Sequence, residues 1–348
     1  MPLSILLIAL LAADVPSGAA ATATAAVTVA RAHADSAAAR PDSAKARPDT
    51  VAVRPDSAAS GSLPLKLARV ALAAGAGEAA ERLVEPAGVA VDAFGRLYVS
   101  DAALNRVQRY DAAGAWLGAE GALGSDPGQL RRPGAVAALG QAGIAVLDRE
   151  NRRVVGYDLH GRLTGTLIDL EALRDQLGYV DPVAMASDRG GAVAIADADQ
   201  DRLLTFDFSG RYLRTLGGFG GRGGSFRSVS GVAFGPHGEI VISDRAHARL
   251  KRLDAGGREL AAWALEAAPG RGALAVAVDD SSRIAVADEQ SGRLWLFDAG
   301  GRLLARAAGC AAPRALAFAP DGTLLVAESR AGRVSRWSLA RSPGPPGR

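Results

Sequence analysis

Three observations predict an all-β chain, a six-bladed β-propeller of four-stranded antiparallel blades. A spaced set of polar residues recurs six times along the 348-residue sequence. Each copy is bracketed by short β-type apolar runs. The last copy lacks a final strand, and an unmatched segment near the beginning, residues 63–72, is placed to supply it.

Residues 1–62 stand outside the pattern. Residues 1–34 read as a signal peptide: the apolar run Leu3–Ala13 is too short to cross a bilayer but suits a signal h-region. Small-residue cleavage sites follow near Ala19–Ala25 and at Ala32–Ala34, although no Lys or Arg precedes the apolar run. Residues 35–62 carry Arg-Pro-Asp-Ser/Thr at Arg40, Arg47 and Arg54, with no apolar stripe to offset ordering entropy. They read as a disordered spacer, and residues 342–348 as a disordered tail. The expectation is an exported protein, periplasmic or extracellular, with no membrane insertion of the mature chain.

The repeat runs Asp101, Arg106, Asp111, Gly114; then Asp148, Arg153, Asp158, Gly161; then Asp197, Arg202, Asp207, Gly210. It continues as Asp244, Arg249, Asp254, Gly257 and Asp288, Arg293, Asp298, Gly301, and ends as Glu328 and Arg333 with Ser338 in place of the second Asp. Before each first acid lies a run such as RLYVS or AVAIA, apolar enough for a strand covered on both faces. The acid closes that strand, four residues turn, and the Arg opens the next. Asp-x-x-Gly then supplies a type I turn into a further strand. Upstream of each copy is a short apolar strand such as GVAV or GVAF, which makes the unit four strands. Residues 63–341 are therefore the propeller, closed by an N-terminal strand at about 63–72.

The segment Pro86–Gly114, PAGVAVDAFGRLYVSDAALNRVQRYDAAG, resembles the NHL repeat almost throughout, and the likeness extends over about residues 64–341. Blades two and five drift more, blade two having Gly140-Gln141 in its first turn and its asparagine moved to Asn151. The resemblance implies a six-bladed propeller of the secreted bacterial type. It also implies a functional surface on the face bearing the loops between strands two and three and between blades. Propellers of this kind include an amidating lyase, neighbouring families include lactonases with a metal on the channel axis, and some bind RNA through an arginine-rich face.

Repetition in every blade assigns Asp101, Arg106, Asp148, Arg153, Asp197, Arg202, Asp244, Arg249, Asp288, Arg293, Glu328 and Arg333 to the scaffold. A carboxylate at a strand end accepts turn amides and pairs with the arginine across the turn. The loops themselves differ from copy to copy, and a specific surface is built where a repeated frame varies. Asn105, Glu150, Asn151, Asp199, His247, Glu289 and Arg330 are the candidate partner-binding residues there. Arg222 joins them from the glycine-rich connector GGFGGRGGSFRS, which opens no helix and so is no phosphate loop. Gly217, Gly220, Gly224 and Phe226 of that connector align with Gly121, Gly124, Gly128 and Leu130.

No catalytic residue, metal site or cofactor is expected. The four histidines are His33 in the leader, His160 and His237 in turns, and His247 on a candidate loop, too few for a histidine cluster. Asp92, Asp188 and Asp279 occupy an ordinary first-turn position. The single cysteine, Cys310, rules out an internal disulfide. A net charge of +3 gives no strong electrostatic footprint for nucleic acid. The reading is a monomeric, non-catalytic module that binds a protein, peptide or glycan on its loop face. The segment 167–182 between blades two and three is an additional excursion with the pattern of a small helix capped by Asp169 and ended by Gly178.

Overall fold

The structure is a computed structural model that describes residues 63–341, apart from 76, 79, 219–224 and 267–271. The signal segment, the spacer, the C-terminal tail and Arg222 lie outside the described residues.

Six four-stranded antiparallel sheets form the blades. Their innermost strands are Pro86–Val91, Pro133–Ala138, Pro182–Ser187, Val229–Phe234, Leu274–Val278 and Pro313–Phe318. The second strands, Leu97–Asp101 and its five counterparts, are buried at every position. Neighbouring blades cover both of their faces, which is why the sequence shows continuous apolar runs there rather than alternation. The core is accordingly divided: one cluster of buried side chains fills each of the six blade-to-blade interfaces.

Blade six takes its outer strand from the N-terminal side, as the sequence predicts. Leu65–Ala74 pairs antiparallel with Arg333–Arg341, so the sheet order joins the first strand of the chain to the last. The strand runs two residues later at each end than the predicted 63–72.

The repeat acids are buried, at 0–2% exposure. Four of the expected pairs form: Arg153–Asp148, Arg202–Asp197 and Arg249–Asp244 at 2.8 Å, and Arg333–Glu328 at 3.0 Å. Blades one and five differ. Asp101 is saturated by the amides of Val84, Glu85, Ala103 and Leu104, and Arg106 donates instead to the carbonyls of Ala80 and Arg82. Asp288 receives Arg245 of blade four at 2.9 Å, and Arg293 turns away to the Glu266 carbonyl. Backbone donors or a neighbouring blade replace the in-blade arginine, so the acid rather than the pair is the constant element.

Asp-x-x-Gly behaves as read. In blade four, Asp254 accepts the amides of Gly256 and Arg258, and Gly257 takes φ +90. Of the aligned connector residues, Leu130 and Phe226 are both buried, and Gly220 and Gly224 lie outside the described residues. In the excursion, Asp169 accepts the amides of Glu171 and Ala172, but the helix is a single turn, Arg174–Leu177, ended at Gly178. Leu170, Leu177 and Val180 are drawn into the core between blades two and three. The blade edge thus holds a single packed helical turn.

Burial pushes the Tyr98 and Tyr157 phenols up to about 12, with Asp92 and Asp148 respectively adding to the shift. Their neutral forms stabilise the fold fully below the ordinary value of 10.0, and that contribution is lost as pH rises from about 10 towards 12. Phenolate absorbance is therefore expected to show these two rings ionising together with alkaline unfolding. Free titration near pH 10 in the folded protein would contradict their burial.

Candidate functional site

The inner strands start, and the second strands end, at the same face: Pro86 pairs with Asp101, and Pro313 with Glu328. Loops between strands two and three and connectors between blades therefore share one face. A channel opens on it, and all six innermost strands line a cavity there of about 460 Å³.

The cavity is layered by repeat position. Deepest is an apolar ring with one side chain per blade: Val89, Val136, Met185, Val232, Val276 and Leu316. Above it stand Gly88, Ala135, Ala184, Gly231, Ala275 and Ala315. Small residues are required here, because a Cβ on Gly231 would collide with the Leu274 carbonyl of the next blade, and one on Gly88 with the Gly134 carbonyl. Next comes a bulge residue, which slips the register in every blade but the fifth. At this position blades one to four carry Ala87, Gly134, Val183 and Ser230, whereas blade six carries Arg314.

Arg314 organises the mouth. Its Nε donates to Glu289 and its Nη1 to Glu85, each at 2.7 Å. Glu85 also accepts from Arg132 at 3.0 Å, and Arg132 lies 3.7 Å from Glu150. An unbroken arc of charge, Glu289–Arg314–Glu85–Arg132–Glu150, thus passes from blade five through six and one to blade two. Beside it Arg149 pairs with Asp181 at 3.1 Å. A second cavity of about 380 Å³ extends from the mouth over blades two and three, walled by Arg152, Tyr179, Asp181 and Pro182. The excursion supplies that wall: Tyr179 is exposed, with the Arg152 guanidinium 5.3 Å from its ring centre.

Of the candidate residues, Glu150 and Glu289 reach these cavities. Asn105 accepts the Arg132 amide at 2.8 Å and ties a loop to a connector. Asn151 donates to Asp148 and the Gly124 carbonyl, a bracing contact. His247 is held on Asp244 at 2.8 Å. Asp199 and Arg330 are exposed and line neither cavity. Sequence reasoning missed Glu85, Arg132, Arg149, Asp181 and Arg314. These five fall at three repeat positions: the residue before the inner strand, the bulge residue and the residue after the repeat acid. Comparing the six copies there shows an arginine where the other bulge residues are small, a signal already present in the sequence.

The donor set does not fit a metal on the axis. The ring and the layer above it present only carbon side chains, Met185 apart. Among the described residues no three His, Cys, Asp or Glu side chains gather to hold an ion. Asp92, Asp188 and Asp279 accept turn amides at the opposite face. Among the same residues no helix is long and apolar enough to cross a membrane.

No family model matches the chain, and no curated protein matches it significantly. Solved structures do resemble it. Regucalcin from Agrobacterium tumefaciens strain C58, described as a calcium-binding protein, superposes with a TM-score of 0.57 at 16% identity over 79% of this chain and 95% of that one. A gluconolactonase from Xanthomonas campestris gives 0.56 at 14% over 78% and 89%. Virginiamycin B lyase from Staphylococcus aureus gives 0.53 at 11% over 80% and 89%. At such identities what is shared is the fold, and this chain is a six-bladed β-propeller similar to those of the lyase, regucalcin and gluconolactonase.

Proposed function

We propose that the protein is an exported, monomeric, non-catalytic binding module that takes a peptide or a segment of a protein into the channel mouth of its loop face. The observation that carries this reading is the break in symmetry at Arg314. Scaffold positions repeat from blade to blade, whereas this one changes from a small uncharged residue to a charged side chain fixed by two carboxylates. It does so inside a cavity of ligand-binding size, roughly 300–1,000 Å³ for small-molecule sites generally. The wall favours a peptide over a glycan, because among the described residues no aromatic ring lines the channel cavity to stack on a sugar face.

The test is to fill the channel. Ala87 occupies the bulge position that accommodates Arg314 in blade six, so Ala87→Trp is expected to fold and to melt within a few degrees of the parent protein. A library of short peptides and fragments screened by ligand-observed NMR should yield binders of the parent that the variant no longer holds. Hits retained in full by a folded Ala87→Trp variant would move the site off the channel.

A further inference from the structure

We infer that the group recognised at the mouth is a peptide carboxylate, bound where the two cavities meet; this rests on the channel-binding reading above. Ala87, Arg132, Gly134, Arg149 and Arg314 line both cavities, so three guanidinium groups converge on the junction. Arg152, its Nε held by Glu171 at 2.7 Å, lies along the second cavity, whose acids among the described residues are Glu150 and Asp181.

These arginines retain donors. Arg149 engages Asp181 through Nη2 alone, and Arg314 spends Nε and Nη1 on its two glutamates. Arg149 Nε and Nη1 and Arg314 Nη2 have no hydrogen-bond partner among the described residues. A guanidinium fork matches a planar carboxylate, and charge-assisted bonds of this kind are the strong ones. Arg314 is already held from both sides, which reduces the ordering cost of binding.

The surroundings select the kind of anion. Glu85, Glu150 and Glu289 stand in the arc and Asp181 in the pair beside it, so a doubly charged phosphate meets more repulsion than a singly charged carboxylate. Beneath the junction the walls are Val89, Val136 and Met185, suited to small apolar side chains. Beyond it Tyr179, Pro133 and Pro182 offer a surface for the rest of an extended chain. Two sources supply the same chemistry, a free C terminus and an Asp or Glu side chain.

Isothermal titration of the full chain with four probes separates the outcomes: acetyl-Ala-Ala-Ala acid, its C-terminal amide, acetyl-Ala-Ala-Asp amide, and acetyl-Ala-Ala-Asn amide. The acid is expected to bind about tenfold or more tightly than its amide, a preference that weakens with salt. Arg149→Gln should abolish the preference while keeping the parent melting temperature, and Arg149→Lys should restore part of it. A preference for Asp over Asn at the third residue, with none for the acid over its C-terminal amide, would support the carboxylate and assign its source to a side chain. Equal binding of all four, lost in Ala87→Trp, would overturn the carboxylate and leave the channel reading intact. Absence of binding by all four at about 10 mM would also overturn it, the channel reading then resting on its own screen.

Discussion

Deleting residues 1–75 is expected to unfold the protein or drive it into oligomers, while deleting residues 1–62 leaves a folded monomer. The strand Leu65–Ala74 is the outer strand of blade six, and without it Arg333–Arg341 becomes an open edge. The loss is more than backbone pairing. Leu67 is buried with Cys310, Leu316 and Trp337 between blades five and six. Arg69 lies 5.0 Å over the Trp337 ring and 3.1 Å from Glu328. Burial works against the charge of Glu328, but Ser335, the Ala311 amide, Arg333 and Arg69 more than offset it and hold the carboxyl below its ordinary value. Removing the strand therefore exposes apolar surface and strips a buried carboxylate of one partner. A loss of about 5 kcal/mol or more is expected, comparable to the whole stability of many domains. Light scattering and thermal melts of the two truncations decide the matter. Equal melting temperatures and a monomeric 76–348 fragment would disprove closure by this strand.

Asp197→Ala is expected to cost about 3–5 kcal/mol, as for a buried ion pair deprived of one partner. Asp197 is fully buried and accepts the amides of Asp181 and Asp199 at 3.0 Å and Arg202 Nε at 2.8 Å. Its loss strands two donors and a guanidinium that is itself buried, which exceeds the cost of one unmade turn bond, about 1–3 kcal/mol. Urea denaturation measures the effect, with Asp197→Asn expected to cost less because the amide oxygen still accepts. A loss below about 1 kcal/mol would show that solvent or a shifted loop replaces the carboxylate. The same substitution at Asp244 should cost similar stability. Only Asp197→Ala should also disturb the mouth, because Asp181, whose amide it holds, is the partner of Arg149.

The sequence by itself determined the number of blades, the four-strand unit, the N-terminal closure and the place of the repeat acids at the strand ends. Those features are local and repeated: a strand covered on both faces reads as an apolar run, and a tight turn requires Asp and Gly at fixed offsets. Six copies averaged out the variation in any one of them. The tertiary structure decided which variable residues belong together. Glu289 and Glu150 were legible as loop residues, but their partners Arg314 and Arg132 sit on a bulge and a connector. Closing the ring brings Arg314 onto Glu85, more than two hundred positions away in sequence. It also decided that Asn105, Asn151 and His247 brace the loops, because hydrogen-bond partners of a polar side chain depend on which backbone groups the neighbouring segment leaves open. Periodicity records what each blade shares, and a site assembled from single departures in several blades becomes visible only when the ring sets them side by side.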